Sequence, residues 1–184
     1  MNTPPILFAA AGGQIASEWD PPEIILLKLV AILFLVLLNG FFVASEFALV
    51  KVRSSQLETL IDQGVRGALT TRHAVQHLDA YLSATQLGIT LASLGLGWMG
   101  EPFLAAMLEP AFVKAGITSA AIIHTISFAI AFTIITVLHI VFGELAPKSL
   151  AIRKSVGVSL AIAAPLGLFS VSYTHLTLPT NSRV

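Results

Sequence analysis

The chain has 184 residues, of which 55% are hydrophobic and 11% are charged; its formal net charge is +0 and its mean hydropathy is +0.86. Because a soluble domain carries about 25% charged residues, this composition excludes a disordered chain, a nucleic-acid binder with a basic surface and an ordinary cytosolic globule. The sequence contains no Cys, which also excludes a disulfide framework and a zinc–thiolate site. The class that remains is an integral membrane protein.

The first predicted element is an arm at residues 1–23, which contains several Pro and Gly residues and no Lys or Arg. We interpret it as a flexible extracytoplasmic arm. Three apolar stretches then follow, each long enough for the roughly 20 helical residues that a bilayer core requires. They predict membrane-spanning helices at about residues 24–50, 80–100 and 119–143.

A fourth apolar segment, residues 156–173, is interrupted by Pro165 and Gly167. It is compatible with a short span, a re-entrant piece or an interfacial helix. The predicted fold is therefore an all-α integral membrane domain with three transmembrane helices and a fourth apolar juxtamembrane or re-entrant helix.

Basic residues predict the orientation, because Lys and Arg concentrate in cytoplasmic loops. The segment Lys51–Asp79 holds four of them, and Lys148, Arg153 and Lys154 come soon after the third span. This distribution predicts a multi-pass protein of the inner (plasma) membrane with its N-terminus outside, and a connection at 101–118 that also lies outside. Apolar residues in Lys51–Asp79 recur at helical spacing and predict an amphipathic helix, capped by Ser54 or Ser55 and ended by Gly64 and Gly67.

The first span carries Asn39 and Glu46 on one face, with Ser45 beside them. A polar side chain in a spanning helix is a functional candidate, but interhelical hydrogen bonding explains these three equally well. Small residues form a second stripe, which favours helix packing or dimerisation. This stripe consists of Gly40, Ala44 and Ala48.

The second span carries polar and small residues at spacings of three and four, which places them on one face. These residues are Ser83, Gln86, Thr90, Ser93 and Gly97. The length of this face favours a polar cavity over simple packing. Gly88 lies on another stripe of small residues, and the glycines of this span could let backbone carbonyls turn toward a ligand.

The third span ends with His139, Gly143, Glu144 and Pro147. Pro147 has no N–H to donate and opposes the helical bond to the Gly143 carbonyl, so this carbonyl is expected to be freed. Lys148 is near enough in sequence to pair with Glu144, which is the structural alternative to a ligand role. A single His139 is more often a satisfied interfacial group than a ligand.

The chemistry available between these helices is that of oxygen donors, which suit hard cations such as Mg²⁺ and Na⁺. A transition-metal site would use clustered Cys, His or Met, and the five His residues are dispersed along the sequence. The sequence also lacks a Ser-His-Asp order, a phosphate-binding glycine loop and an H-E-x-x-H motif. We therefore predict that the protein is not an enzyme.

Three motifs resemble one known family. They read NGFFVASEFALV at Asn39–Val50, SATQLGITLASL at Ser83–Leu94 and VFGELAPKSLA at Val141–Ala151. With these motifs the region from about 24 to 171 looks like the transmembrane domain of the CorC/cyclin M (CNNM) family, often labelled hemolysin family protein. The run LGWMGEP at Leu96–Pro102 is similar to that of bacterial members.

The resemblance implies a homodimer in the lipid bilayer that exports Mg²⁺, coupled to Na⁺ entry. The low charge content predicts no nucleic-acid partner. It implies Ser45, Glu144 and the Gly143 carbonyl as Mg²⁺ ligands. Thr90 and Ser93 stand where many members have Asn, and hydroxyls can also coordinate Mg²⁺. A second set of candidate ligands comprises Asn39, Glu46, Gln86 and Gly88.

Typical members continue into cytoplasmic CBS modules that bind ATP, and no such module follows in this chain. Residues 172–184 instead resemble the peptide obtained when sequencing-adapter DNA is translated, so we expect a non-native tail. The competing class of function is a non-transporting membrane module that regulates Mg²⁺ balance through a partner. A pore-forming toxin follows from the family label alone, and the alternation of spans with basic loops favours a resident membrane protein.

Overall fold

The computed structural model describes residue 16 and residues 18–177, with side chains described as far as Gly167. All regular structure in this part of the chain is helical. The helices are α1 (Pro22–Lys51), α2 (Ser54–Asp62), α3 (Ala68–Gln76), α4 (Leu78–Lys114), α5 (Ala120–Leu138), α6 (Ala146–Arg153) and α7 (Ser155–Thr177), and a π-helical turn at His139–Leu145 joins α5 to α6. The predicted all-α class is confirmed.

Three helices are long and apolar enough to cross a membrane: Pro22–Lys51, Leu78–Lys114 and the continuous helix Ala120–Arg153 formed by α5, the π turn and α6. A shorter apolar helix occupies Ser155–Gly167. Large apolar side chains on the long helices are more than half exposed, as on Leu94 and Phe132. This outward apolar surface is what a lipid-facing helix requires, because hydrocarbon tails solvate it.

Two helices continue further than the sequence predicts. Helix α4 runs through Pro102 and Pro110 to Lys114, so the connection to α5 is confined to residues 115–119 instead of the predicted 101–118. Pro110 is buried together with Glu109, and this burial offsets the backbone bond that Pro110 removes. Helix α7 likewise continues through Pro165.

The chain forms two compact units. The first takes the described residues up to Leu33 together with Gly95–Val137. Within it Trp19 Nε1 donates to the Met107 carbonyl over 3.1 Å, and the Ala16 N–H donates to the Glu109 carboxylate over 2.9 Å. These bonds tie the described end of the predicted arm to α4, while residues 1–15 and 17 lie outside the described residues.

The second unit comprises Phe34–Leu94 and the chain from Leu138 onward. Its largest apolar cluster contains Phe42, Leu49, Tyr81 and Leu166. Helix α3 contacts α7, where Thr71 Oγ1 donates to the Ser159 carbonyl over 3.3 Å. Helices α1, α3, α4 and α7 therefore share one apolar core in this unit.

The small-residue stripe of α1 is used for packing inside this unit. A side chain added at Gly40 would lie 2.9 Å from Pro147 Cγ, which shows how closely the two segments approach. Ala48 is completely buried against Ala151 and Ile162. Packing within the chain thus accounts for two members of the stripe.

The connection between α1 and α4 contains two helices where one was predicted. The N-cap of α2 is Arg53, with no side-chain capping bond, so the expected caps Ser54 and Ser55 are already helical. Gly64, with φ +70°, ends α2 as predicted. Gly67, with φ +86°, begins α3 instead of ending α2, because only glycine adopts this left-handed conformation without strain.

Candidate functional site

A buried polar cluster forms where α1, α4 and the π turn meet in the second unit. Its centre is Asn39, whose side chain is 1% exposed. Asn39 Nδ2 donates to the Gly143 carbonyl over 3.0 Å and lies 3.1 Å from His139 Nε2. Ser93 Oγ donates to Asn39 Oδ1 over 3.2 Å and lies 3.2 Å from the same His139 nitrogen. We call these four residues the Asn39 cluster.

The Gly143 carbonyl is available to this cluster because of Pro147. In a regular α-helix the N–H of residue 147 would bind this oxygen, and proline has none. The backbone widens here into the π turn, where the N–H of Ala146 binds the Val141 carbonyl, five residues back. The predicted release of the Gly143 carbonyl is thus seen in the structure, and Asn39 supplies the replacement donor.

Close contact makes glycine necessary at residue 143. A Cβ there would lie 3.1 Å from Asn39 Nδ2 and 3.0 Å from His139 Cδ2. Both distances are tighter than most Cβ contacts, so a Cβ here would require the Asn39 amide and the His139 ring to shift by a few tenths of an ångström. The glycine therefore brings its own carbonyl and the Asn39 amide together.

The hydrogen atoms of the cluster set its possible states. If His139 Nε2 accepts from Asn39 Nδ2, it carries no proton and its single lone pair is used, so the Ser93 proton goes to Asn39 Oδ1. If His139 Nε2 is protonated, it donates to Ser93 Oγ, which still donates to Asn39 Oδ1. In both states the Gly143 carbonyl accepts from Asn39, which uses one of the two lone pairs of this oxygen.

Two predicted ligands lie outside the cluster and bond to their own helices. Ser45 is buried and donates to the Phe41 carbonyl over 2.7 Å. Thr90 is exposed and donates to the Gln86 carbonyl over 2.8 Å. Such bonds to the preceding turn satisfy a hydroxyl in an apolar medium without a partner helix. Of the predicted polar face of α4, only Ser93 reaches α1.

The two carboxylates and the Gln86 amide are separate from the cluster. Glu144 and Gln86 are exposed, and Glu46 is half-buried. Lys148 does not pair with Glu144 in the described part of the chain; its Nζ lies 4.4 Å from the centre of the Phe47 ring. Glu144 therefore has a free carboxylate next to the buried Gly143 carbonyl.

Gly88 is buried for a packing reason. A Cβ on it would lie 2.6 Å from three atoms of the Phe42 ring, so the ring rests directly on the backbone of α4. Helix α4 is unbroken at this point. The structure thus packs an aromatic side chain of α1 against Gly88, and the role of Gly88 as a ligand stays a prediction.

Sequence reasoning left three features undetected. The π turn has no signal apart from Pro147, and the central place of Asn39 depends on which helices become neighbours. The third feature is the pair His73 and His77, whose rings lie 4.3 Å apart. Their four-residue spacing was a detectable signal, and the description of the His residues as dispersed is wrong for this pair.

Ser93→Ala tests how much the Ser93 hydroxyl contributes to the free energy of unfolding. We expect a loss of about 0.6 kcal/mol in the free energy of unfolding, the typical value for an interhelical hydrogen bond in membranes, because Asn39 keeps its bonds to Gly143 and His139. Thr90→Ala, which removes only a bond within α4, should leave the value unchanged. Reversible unfolding in mixed detergent micelles measures both, and equal losses in the two variants would contradict the assignment.

Three long apolar helices, a fourth shorter one and an internal polar cluster define a multi-pass α-helical membrane domain. Residues 30–182 match the family model "Cyclin M transmembrane N-terminal domain". The chain belongs to this family.

Similar proteins carry the same domain. The chain is 50% identical to "UPF0053 protein YhdT" of Bacillus subtilis (strain 168) over 142 residues, which cover 77% of the chain and 31% of that relative. It is 48% identical to "UPF0053 protein YugS" of the same organism over 153 residues, 83% of the chain and 35% of the relative. "UPF0053 protein MT1890" of Mycobacterium tuberculosis is 34% identical over 153 residues, 83% of the chain and 33% of the relative. The chain spans about a third of the length of these relatives.

Proposed function

We propose that this chain is the membrane domain of a divalent-cation transporter, that its cargo is Mg²⁺, and that it exports this ion from the cytoplasm in exchange for entering Na⁺. It acts as a homodimer in the inner membrane, with its N-terminus outside, and performs no enzymatic reaction. ATP would act only through CBS modules elsewhere in a longer protein. The observation that carries the proposal is the Asn39 cluster, which gathers donors from α1, α4 and the π turn inside a membrane domain.

The chemistry of the donors supports a hard cation. The side-chain oxygens of Asn39 and Ser93 and the carbonyl of Gly143 are within one hydrogen-bonded cluster. No group of three or more His, Asp or Glu side chains that could hold a metal occurs among the described residues. Neutral oxygens bind weakly enough to release an ion, and a carboxylate such as Glu144 supplies the charge that draws a divalent cation in.

The π turn supports a moving site. A π turn stores an extra residue in the helix and is frequent at functional sites. Gly143 and Glu144 both lie in this turn, so its return to α-helix would rotate the carbonyl and the carboxylate together relative to Asn39. Such a rotation would exchange the amide donor for a cation at the Gly143 carbonyl.

Glu144→Ala and Ser45→Ala test the proposed ligands through Mg²⁺ efflux from Mg²⁺-loaded cells. We expect both variants to lose most of the Mg²⁺ efflux, because each removes a proposed ligand. Expression and stability should stay close to wild type, because Glu144 is exposed and Ser45 bonds only within α1. Glu58→Ala removes an exposed carboxylate from α2 and is the matched control, with efflux unchanged.

The outcomes separate the alternatives. Full efflux in both variants would contradict the ligand assignment. Purified protein in liposomes that contain a Mg²⁺-sensitive dye tests transport itself, and we expect Mg²⁺ flux that rises with an opposing Na⁺ gradient. Absence of flux in liposomes, together with altered cellular Mg²⁺, would contradict transport and favour the regulatory module.

A further inference from the structure

Two histidines form an exposed pair at the end of α3. His73 lies in the last turn of the helix, and His77 is the single residue between α3 and α4. Their ring centres lie 4.3 Å apart, with the planes inclined by 39°. Both side chains are exposed, so burial in an apolar core does not explain their contact.

The hydrogen bonding of His77 fixes which of its nitrogens is free. His77 Nδ1 lies 3.0 Å from the carbonyl oxygen of His73. A carbonyl oxygen can only accept, so Nδ1 carries the proton, and in the neutral ring the lone pair is on Nε2. The backbone N–H of His77 donates to the same oxygen over 3.1 Å, which further restrains the residue.

This arrangement is the one that metal-binding histidines use. Such a histidine donates its second ring N–H to a carbonyl or carboxylate, which orients the ring and raises the basicity of the ligating nitrogen. Two histidines four residues apart on a helix face can bind one ion together. Although His77 follows the last residue of α3, its ring stays 4.3 Å from that of His73, so the two rings still lie side by side. Nitrogens at about 2.0–2.1 Å from a tetrahedral ion lie about 3.4 Å apart, a separation that rings with centres at 4.3 Å can reach.

We propose that His73 and His77 form a surface site for a divalent transition-metal ion of the Zn²⁺ or Cu²⁺ type. Imidazole nitrogen prefers these ions to Mg²⁺, which prefers oxygen. No third His, Asp or Glu joins the pair among the described residues, so water completes the coordination and binding is reversible. The site shares no residue with the Asn39 cluster and does not depend on the proposed transport.

The position of the pair gives the bound ion a structural effect. An ion held by both rings links the last turn of α3 to the residue that precedes α4. Helix α3 also contacts α7. A ligand that binds only the folded state stabilises it, so Zn²⁺ should raise the thermal unfolding temperature of the purified chain.

Copper provides the most direct test. The chain, purified in detergent without a His tag and stripped with chelator, receives one equivalent of Cu²⁺, and electron paramagnetic resonance counts the nitrogens bound to the ion. We expect a pattern from two nitrogens and a matching Zn²⁺ affinity by titration calorimetry that excess Mg²⁺ does not change. His73→Gln and His77→Gln should each remove the two-nitrogen pattern and weaken Zn²⁺ binding at least tenfold, since even indirect partners of a metal contribute tenfold or more.

His124→Gln is the matched control, because His124 is an exposed histidine on α5. It should keep the two-nitrogen pattern and the Zn²⁺ affinity of the wild-type chain. Unchanged binding in the His73 and His77 variants, or displacement of Zn²⁺ by Mg²⁺, would overturn the proposal. Metal-free unfolding temperatures equal to wild type show that the variants are folded, and a loss of binding in a folded variant then supports it.

Discussion

Gly88→Ala should lower the free energy of unfolding by about 1–3 kcal/mol, the usual cost of overpacking a core. The added Cβ would lie 2.6 Å from three atoms of the Phe42 ring, closer than carbon atoms approach. The ring is 4% exposed and packs among Leu49 and Tyr81, so it has no free volume into which to move. Unfolding of the purified chain in mixed micelles measures the change.

Gly97→Ala is the matched control for this prediction. Gly97 lies on the same helix, and a Cβ there has no atom within 4 Å. Helix propensity alone predicts a gain of up to about 1 kcal/mol for Gly97→Ala. Equal effects at the two glycines would show that helix propensity, and not the contact with Phe42, controls stability at Gly88.

Asn39→Asp should destabilise the chain by about 3 kcal/mol at neutral pH. The change replaces Nδ2, which donates to Gly143 over 3.0 Å, with an oxygen that has no proton and carries charge. A charge placed at the centre of a membrane helix costs about 2.5–3.5 kcal/mol. The loss should shrink at acidic pH, where a protonated carboxyl can again donate to the Gly143 carbonyl.

Ser45→Ala provides the comparison for Asn39→Asp. Ser45 is as deeply buried on the same helix, but its bond is internal to α1, so its loss should cost no more than about 0.6 kcal/mol. A pH-independent loss in Asn39→Asp, or a loss equal to that of Ser45→Ala, would contradict the donor role of Asn39.

Local chemistry explains what could be predicted about the site. The effect of Pro147 on the Gly143 carbonyl depends only on residues four apart, so the sequence alone indicates it. The roles of Ser45 and Thr90 as ligands remain predictions, because each hydroxyl bonds to its own preceding turn in the structure. A hydroxyl on a helix can donate to a carbonyl of its own helix or to a group on a neighbouring helix, and the spacing of residues in the sequence does not distinguish these two cases.

Other features depend on which helices become neighbours. From the sequence, Gly88 is expected to weaken α4, whereas in the structure the Phe42 ring of α1 packs against it. Glu144 and Lys148 are close enough in sequence to pair, but Lys148 lies over the Phe47 ring. The sequence predicts a connection at 101–118, whereas α4 continues through Pro102 and Pro110 to Lys114.

The sequence by itself determined the class of protein, the three long apolar helices and the segment that carries Gly143 and Glu144. The length of an apolar stretch and the effect of proline depend on the residues of a single segment. They can therefore be predicted without knowing which helices pack together. Only the tertiary structure decided that Asn39 is the centre of the polar cluster and that Ser93 alone of its helix face joins it. Those facts depend on the rotation of each helix about its axis, and packing between helices, not the residues of one helix, sets that rotation.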